Sequence, residues 1–298
     1  MVFEALRAAG SDPAANLALE EAFLSLPADR APLLLLYVND PCVIVGRNQN
    51  PWAEVSPRAG LPVLRRVSGG GAVYHDRGNL NWALIVPRNW HDPGAELELI
   101  AGVLRGLGIE VDAGARGGLY VRGPSVFAAG KLSGTARRFG AHRVLHHGTI
   151  LVDADLGRLR SCLGGLCLRS SRAIASVPAR PVNASSLRPG LGVEDLAGAL
   201  VSALAGGARV EIAETALRAL GAEGVAQEAR LRHQSWNWTW GETPAFSVAA
   251  PRGREELVVE VSRGRVVRVD GPGAESLGRA LGSRFDYDLP SSFARADV

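Results

Sequence analysis

The sequence predicts a mixed α/β protein, a large unit followed by a small one, and three observations carry that reading. Short apolar runs such as Leu33 to Val38, Cys42 to Val45 and Leu80 to Val86 are bounded by turn residues and read as strands. Between and after them lie stretches with apolar residues at three- and four-residue spacing, which read as amphipathic helices. Finally, 298 residues exceed one average domain, and a polar stretch from Gly221 to Gln234 precedes a separate tryptophan-rich segment. An apolar fraction of 47% with 21% charge is ordinary for a soluble globular protein. A net charge of +3 permits an anionic ligand but is too weak to argue for nucleic acid.

In order along the chain, Ser11-Asp12-Pro13 is a cap and first turn, and Leu17, Phe23, Leu24 and Leu26 give the helix after it an apolar face. Asn16 within that helix reads as solvated. Leu33 to Val38, the turn Asn39-Asp40-Pro41 and Cys42 to Val45 read as a hairpin. It delivers Gly46-Arg47-Asn48-Gln49-Asn50-Pro51-Trp52, a polar cluster at a strand exit that is expected to line a site.

The stretch Arg65-Arg66-Val67-Ser68-Gly69-Gly70-Gly71-Ala72-Val73-Tyr74-His75-Asp76 is the centre of the sequence. Three glycines let the backbone approach a ligand with no Cβ in the way, successive N–H groups can line a concavity, and two guanidiniums beside it can hold a phosphate or carboxylate. A strand follows at Leu80 to Val86, then an amphipathic helix from Ala95 to Leu107 ended by Gly108, then a strand from Leu119 to Val121.

Gly130-Lys131-Leu132-Ser133-Gly134-Thr135-Ala136 presents the only lysine, all other 32 basic side chains being arginine. A GC-rich genome drives such a bias, and a lysine that survives it marks a place where a compact point charge is needed and a guanidinium does not serve. His146-His147-Gly148-Thr149-Ile150-Leu151-Val152 enters a further strand. Adjacent histidines on a strand face opposite ways, so one is expected to be structural and the other to face substrate rather than both sharing a metal. Helices follow at Val193 to Leu204 and Glu211 to Leu220, and Gly221 to Gln234 reads as a linker. The Trp236 to Phe246 segment, strands Leu257 to Val261 and Val266 to Val269, and a helix from Ala274 to Leu281 make the small terminal unit.

Cys42, Cys162 and Cys167 show no metal spacing, and their odd number suits a reducing compartment. No apolar run approaches the ~18 residues of a membrane span, and no signal peptide is legible at the N-terminus. The expectation is a soluble intracellular enzyme or binding protein, cytoplasmic or in the mitochondrial matrix, with neither membrane nor nucleic acid as partner.

Together the motifs resemble the lipoate–protein ligase A and lipoyltransferase family, of the biotin/lipoate ligase fold. The resemblance rests on Asn16-Leu17-Ala18-Leu19-Glu20-Glu21, Val45 to Trp52, the glycine stretch, Lys131 to Ala136 and His146 to Leu151, in the family's order and spacing. It implies an α+β catalytic domain over residues 1–235, with a central, mainly antiparallel sheet flanked by helices, and a small α+β accessory domain over 236–298. It also implies activation of lipoate by ATP with Mg²⁺ to lipoyl-AMP, then transfer to a lysine of a lipoyl-carrier domain, such as a 2-oxoacid dehydrogenase E2 subunit or the glycine cleavage H protein. By the family's pattern Arg66, Gly71, Ala72, Val73, Tyr74, Arg116, Lys131 and Thr149 contact nucleotide and acyl-adenylate, with Lys131 catalytic. The sequence departs from the pattern after Arg116: Gly117-Gly118 stands where the family usually has Asn-Asp or Phe-Asp, losing a polar pair near the nucleotide. The alternatives are a lipoyltransferase that takes preformed lipoyl-AMP, which Ser176-Val177-Pro178-Ala179 resembles locally, a cysteine-dependent octanoyl-carrier-protein transferase, and a non-catalytic acyl-adenylate binding module.

Overall fold

The computed structural model describes residues 2–122, 130–252, 255–272 and 274–288; the last part of the expected accessory unit, 289–298, lies outside them. In chain order the elements are β1 (Glu4–Arg7), α1 (Pro13–Leu24), β2 (Leu33–Tyr37), β3 (Cys42–Val45), α2 (Pro51–Glu54), β4 (Val63–Arg65), β5 (Val73–His75), β6 (Asn79–Pro87) and α3 (Pro93–Gly106). There follow β7 (Val111–Ala113), β8 (Leu119–Val121), β9 (Lys131–Phe139), β10 (Arg143–Leu151), α4 (Leu156–Cys162), β11 (Ser170–Ser171), α5 (Val193–Leu204), β12 (Glu211–Ile212), α6 (Ala213–Ala219) and α7 (Glu223–Gln234). The C-terminal part carries β13 (Phe246–Arg252), β14 (Glu255–Ser262), β15 (Arg265–Asp270) and a 3₁₀ segment, Ala274–Ala280.

Eight strands form the central sheet in the order β12-β1-β2-β6-β10-β9-β8-β7. Only the β12–β1 and β1–β2 pairs are parallel; the other neighbours run antiparallel. Alternation sorts the side chains of β2, β6 and β10 between two cores. Leu34, Leu36, Leu80, Trp82, Leu84 and Val144 pack under α3 and α5. Leu33, Leu35, Tyr37, Ala83, Ile85 and Leu145 face α1 and α6. The strand periodicity therefore fixes which of two adjacent residues reaches which layer.

Three expectations fail here, each for a physical reason. The hairpin from Leu33 to Val45 does not form: β2 already pairs with β1 and β6 on its two edges, so β3 crosses to a second, three-stranded sheet in the order β4-β3-β5. The linker from Gly221 to Gln234 is mostly helix, α7. It lacks an apolar stripe because polar contacts hold it: His233 Nε2 meets Glu21 Oε1 at 2.5 Å and Nδ1 donates to Arg65 O at 2.9 Å. The Glu211 to Leu220 helix begins two residues late, after the edge strand β12.

A third sheet, β11-β13-β14-β15, packs its inner face on Trp52, Trp240, Phe246 and Phe285. Trp52 and β11 come from the N-terminal three quarters of the chain, so the small sheet is built against it and not beside it. A single π-helical turn over Asn237–Gly241 makes the connection.

Candidate functional site

The cleft lies between the central sheet as floor and the three-stranded sheet as roof. The floor runs across four strands in register, Gly134 on β9, Thr149 on β10, Asn81 on β6 and Tyr37 on β2. Three inter-strand steps of about 4.8 Å make this row roughly 14 Å long. The roof contributes Ile44 from β3 and Val73 and His75 from β5, and Leu17 closes the end. This inner cavity measures about 270 Å³. A second, of about 680 Å³, continues from it past Tyr74, Ser133, Arg160 and Arg180. Ala72, Val73, Lys131, Gly134 and Thr149 line both.

All eight residues singled out from the sequence border this cleft. Lys131 and Thr149 stand at the junction with Ala72 and Val73, Arg66, Gly71 and Arg116 border the inner cavity, and Tyr74 borders the outer one. Lys131 opens β9 and is half-buried, and two glycines make room for its end: a Cβ on Gly118 would sit 3.0 Å from Lys131 Cε, and one on Gly134 would sit 3.4 Å from Nζ. Burial first, and the Arg116 charge second, hold its ammonium below the usual lysine range.

The glycine stretch is held from behind. Arg66, buried, donates from Nη2 to Gly69 O at 2.6 Å and Gly71 O at 2.9 Å, and from Nε to Ser68 Oγ at 3.0 Å. Because C=O and N–H point oppositely across a trans peptide, turning these two carbonyls toward Arg66 turns the N–H groups of Gly70 and Ala72 away from it. Gly70 allows the bend at φ +88°. Gly46 allows the loop to lie against β3, since a Cβ there would fall 2.1 Å from Gly70 O.

Arg65 does not hold an anion. Its guanidinium is fully buried and donates to Gly46 O, Arg47 O, Gln49 O, Trp238 O, Thr239 O and Thr243 Oγ1, binding the turn after β3 to the tryptophan-rich turn. The Gly46 to Trp52 cluster likewise supports the site without lining its two cavities. Gln49 Oε1 accepts Gly46 N–H at 2.8 Å, and its Nε2 donates to Ser176 Oγ at 2.9 Å.

Ser176 belongs to a strap, residues 172–182, that crosses the cleft. Ala72 N–H, one of the amides turned away from Arg66, donates to Ser176 Oγ at 2.9 Å, and Ser176 N–H donates to Glu54 Oε1 at 3.0 Å. At its far end Lys131 N–H donates to Arg180 O at 2.7 Å. A hydroxyl oxygen thus sits where an anionic oxygen would meet the loop.

Behind the inner cavity α1 presents two polar residues one turn apart, Asn16 and Glu20, both 1% exposed. Glu20 accepts from His147 Nδ1 at 2.8 Å and from the Tyr37 hydroxyl at 2.8 Å, and His147 Nε2 accepts the Ser68 hydroxyl at 2.6 Å. This Ser–His–Glu line has the connectivity of a nucleophile triad, but Ser68 is 1% exposed, borders neither cavity and accepts from Arg66, so it fastens the loop. Of the paired histidines, His147 faces the cavity and His146 faces the opposite core, bonded to Glu96 Oε2 at 2.7 Å. Asn16 is not solvated as expected: its Nδ2 bonds Gly10 O, Val38 O and Asn39 Oδ1. Polar residues at helical spacing on an otherwise apolar face were the signal for both.

Among the described residues no three His, Cys, Asp or Glu groups could hold a metal. Among the described residues the carboxylate bordering the two cavities is that of Glu54, which already accepts from Ser176. The residues present thus do not fit a metal held by side chains. They fit an anion: Lys131, Arg116, Arg160 and Arg180 converge on the cleft.

An antiparallel-rich central sheet, a glycine loop on a second sheet and a lysine at the junction of two cavities bordered by arginines define a protein of the biotin/lipoate ligase fold. Residues 12–205 match the family model of the lipoyl protein ligase A/B catalytic domain, and the chain belongs to that family. Among solved structures it is similar to P. falciparum LipL1 in complex with lipoate, with 22% identity over 99% of this chain and 94% of that one and a TM-score of 0.65. It is also similar to the bi-partite lipoate protein ligase of Thermoplasma acidophilum studied with its E2 lipoyl domain, with 21% identity, 80% and 96% coverage and a TM-score of 0.63. For a lipoate–protein ligase A bound with ATP the values are 22%, 80%, 98% and 0.61. Among the described residues no helix is long and apolar enough to cross a membrane.

Proposed function

We propose that the protein is a lipoate–protein ligase: it activates lipoate with ATP to lipoyl-AMP and transfers the lipoyl group to a lysine of a carrier domain, of the E2 or glycine cleavage H type. The observation that carries this reading is the position of the only lysine at the junction of the two cavities. An acyl chain in the inner cavity and a nucleotide in the outer one meet at Lys131. Adenylation gathers charge on the α-phosphate and aminolysis gathers it on the acyl carbonyl oxygen, and one ammonium beside both stabilises both transition states. Ala72 N–H is the amide available to the phosphate once Ser176 gives it up, and the strap keeps water from the mixed anhydride. Residues 236–298 serve as the accessory domain that adjusts the cleft between the two steps, in a cytoplasmic or matrix setting.

Intact-mass analysis of a lipoyl domain incubated with enzyme, ATP and free lipoate tests this. A lipoyl adduct is expected; none with ATP but one with supplied lipoyl-AMP would instead establish the transferase. That second reading is favoured by Glu54 being the single carboxylate at the cleft among the described residues. A cysteine-based octanoyl transfer lacks support, since Cys42 and Cys162 are buried and no cysteine borders either cavity.

A further inference from the structure

β9 is covered along its outer edge for only part of its length. Gly140 N–H donates to Arg143 O at 2.9 Å across the turn into β10, and Phe139 lies opposite Val144. Alternation along an antiparallel pair then has Gly134, Ala136 and Arg138 bond β10 through their backbone groups, while Ser133, Thr135, Arg137 and Phe139 turn theirs outward. β8 meets Ser133 and goes no further along β9. Gly117, at φ +75°, turns that chain aside, and its carbonyl accepts the Thr135 hydroxyl at 2.5 Å. Among the described residues no strand pairs with the outward backbone groups of Arg137 and Phe139.

A groove of about 620 Å³ runs beside this free edge, bordered by Gly114 and Ala115 and by Pro93 and Leu97 of α3. It meets the inner cavity at Gly70, Arg116, Thr135 and Ala136, which border both, and no strap residue borders it. Lys131 folds back toward this meeting point, since a Cβ on Gly134 would sit 3.4 Å from Nζ. Arg137 is three residues further along β9, roughly 10 Å away. The free edge therefore leads from the protein surface to the reacting centre by a path that the strap does not close.

An open edge is a template for another strand, and its charges decide which. Arg137 and Arg138 are adjacent, so they stand on opposite faces of the sheet, and both are exposed. Neither has an acidic partner among the described residues, and the same holds for Arg116 in the groove. A second copy of this edge would set arginine against arginine, which is unfavourable. An acidic strand would instead find a cation on each face, with Phe139, 54% exposed, as an apolar contact at the outer end. Main-chain bonds would supply affinity and the arginines would supply choice.

On the basis of the function proposed above, we propose that the carrier domain docks by adding an acidic strand to β9 at Arg137 to Phe139, so that its acceptor lysine enters through the groove past Arg116. The nucleotide stays under the strap while the amine arrives from the other side, and the acyl-adenylate is not uncovered to admit it.

Amide hydrogen exchange of the full chain, with and without an apo lipoyl-carrier domain, reads this directly. In the free enzyme the Arg137 and Phe139 amides should exchange fast and the Arg138 amide, bonded to β10, slowly; saturating carrier should slow the first two by roughly tenfold or more. Arg137→Pro removes an outward N–H and no ladder bond. It should raise the KM for carrier roughly three- to tenfold above that of Arg137→Ala, the size of one hydrogen bond, with kcat from supplied lipoyl-AMP unchanged. Since the proline variant risks the fold, exchange in wild type stands as an independent reading. Unslowed amides in a wild type that lipoylates the carrier, equal KM in folded Arg137→Pro and Arg137→Ala, or amides already protected in a dimer of the free chain would overturn the inference alone. No adduct from wild type with either lipoate and ATP or lipoyl-AMP would overturn it together with the function proposed above.

Discussion

Lys131→Arg keeps the charge at the junction and changes only its shape, so it isolates what the lysine supplies. The last two atoms of Lys131 lie against glycine backbones, with Gly118 placed so that its Cβ would be 3.0 Å from Cε and Gly134 so that its Cβ would be 3.4 Å from Nζ. A planar guanidinium is wider than an ammonium and must either push Gly118 aside or turn out of the junction. Either way it leaves the point where both transition states place their charge, and losing one such contact costs on the order of 10²–10³ in rate. Pyrophosphate release on adding lipoate and ATP, and lipoylation from supplied lipoyl-AMP, should both fall by about that factor. Lys131→Met separates this from a folding defect. Burial and Arg116 lower the lysine pKa on folding, so the native protein holds the charge at a cost below its folded pKa, and the cost disappears as pH rises past the unfolded value near 10.5. The Met variant should therefore melt at or above the wild-type temperature at pH 7, by a margin that shrinks toward alkaline pH. Near-wild-type turnover in a folded Lys131→Arg would refute the argument and leave Arg66 and the glycine loop to supply the stabilisation.

Three further outcomes follow from the same geometry. Arg65→Lys replaces five donors with three against six buried acceptors and should cost about 3–5 kcal/mol of stability in denaturant melts, with lipoate affinity at low temperature preserved; an affinity loss without a stability loss would restore Arg65 as a ligand contact. Gly71→Val puts a side chain at the border of the inner cavity, its Cβ within 2.9 Å of Ser176 Oγ, so it should obstruct the ligand and abolish lipoyl-AMP formation with little change in melting temperature; unchanged lipoyl-AMP formation would mean that the loop does not approach the ligand at Gly71. Changing Cys42, Cys162 and Cys167 to Ser together should leave most activity, whereas a trapped thioester would revive the octanoyl-transfer reading.

What the sequence made legible was local. The helix at Val193 to Leu204 was readable to the residue because its apolar period matches burial on one side, and the strand at Leu119 to Val121 was readable as a short apolar run. The hairpin reading failed because which edges β2 uses is decided by β1 and β6, far away in the chain. Helix α7 was missed because its anchoring is ionic and tertiary, through Glu21 to His233 and Arg232. In the site, Lys131 and Arg66, named for their chemistry, and Thr149, named from the family's pattern, all border the cleft. For the buried supports Asn16, Glu20 and His75 the stretches were legible but the roles were not, because a polar residue on a helix or strand shows no sign in sequence of the partner that will satisfy it.

The departure at Gly117-Gly118 takes on a different meaning in three dimensions. A polar pair there would be missing a nucleotide contact only if there were room for it. Gly117 adopts φ +75°, its carbonyl accepts Thr135 Oγ1 at 2.5 Å, and a Cβ on it would approach that oxygen to 2.8 Å. A side chain on Gly118 would meet Lys131, Ser133 O and Tyr120 within 3.1 Å. The two glycines thus let β8 close on β9 behind the lysine, so the bare backbone substitutes a wall for a pair of ligands. Positive charge at the cleft is left with little acidic counterweight beyond Glu54, and that balance favours an anion over a cation held by side chains. On the ligase reading proposed above, the nucleotide side of the reaction would rest on Lys131, the arginines and the loop amides.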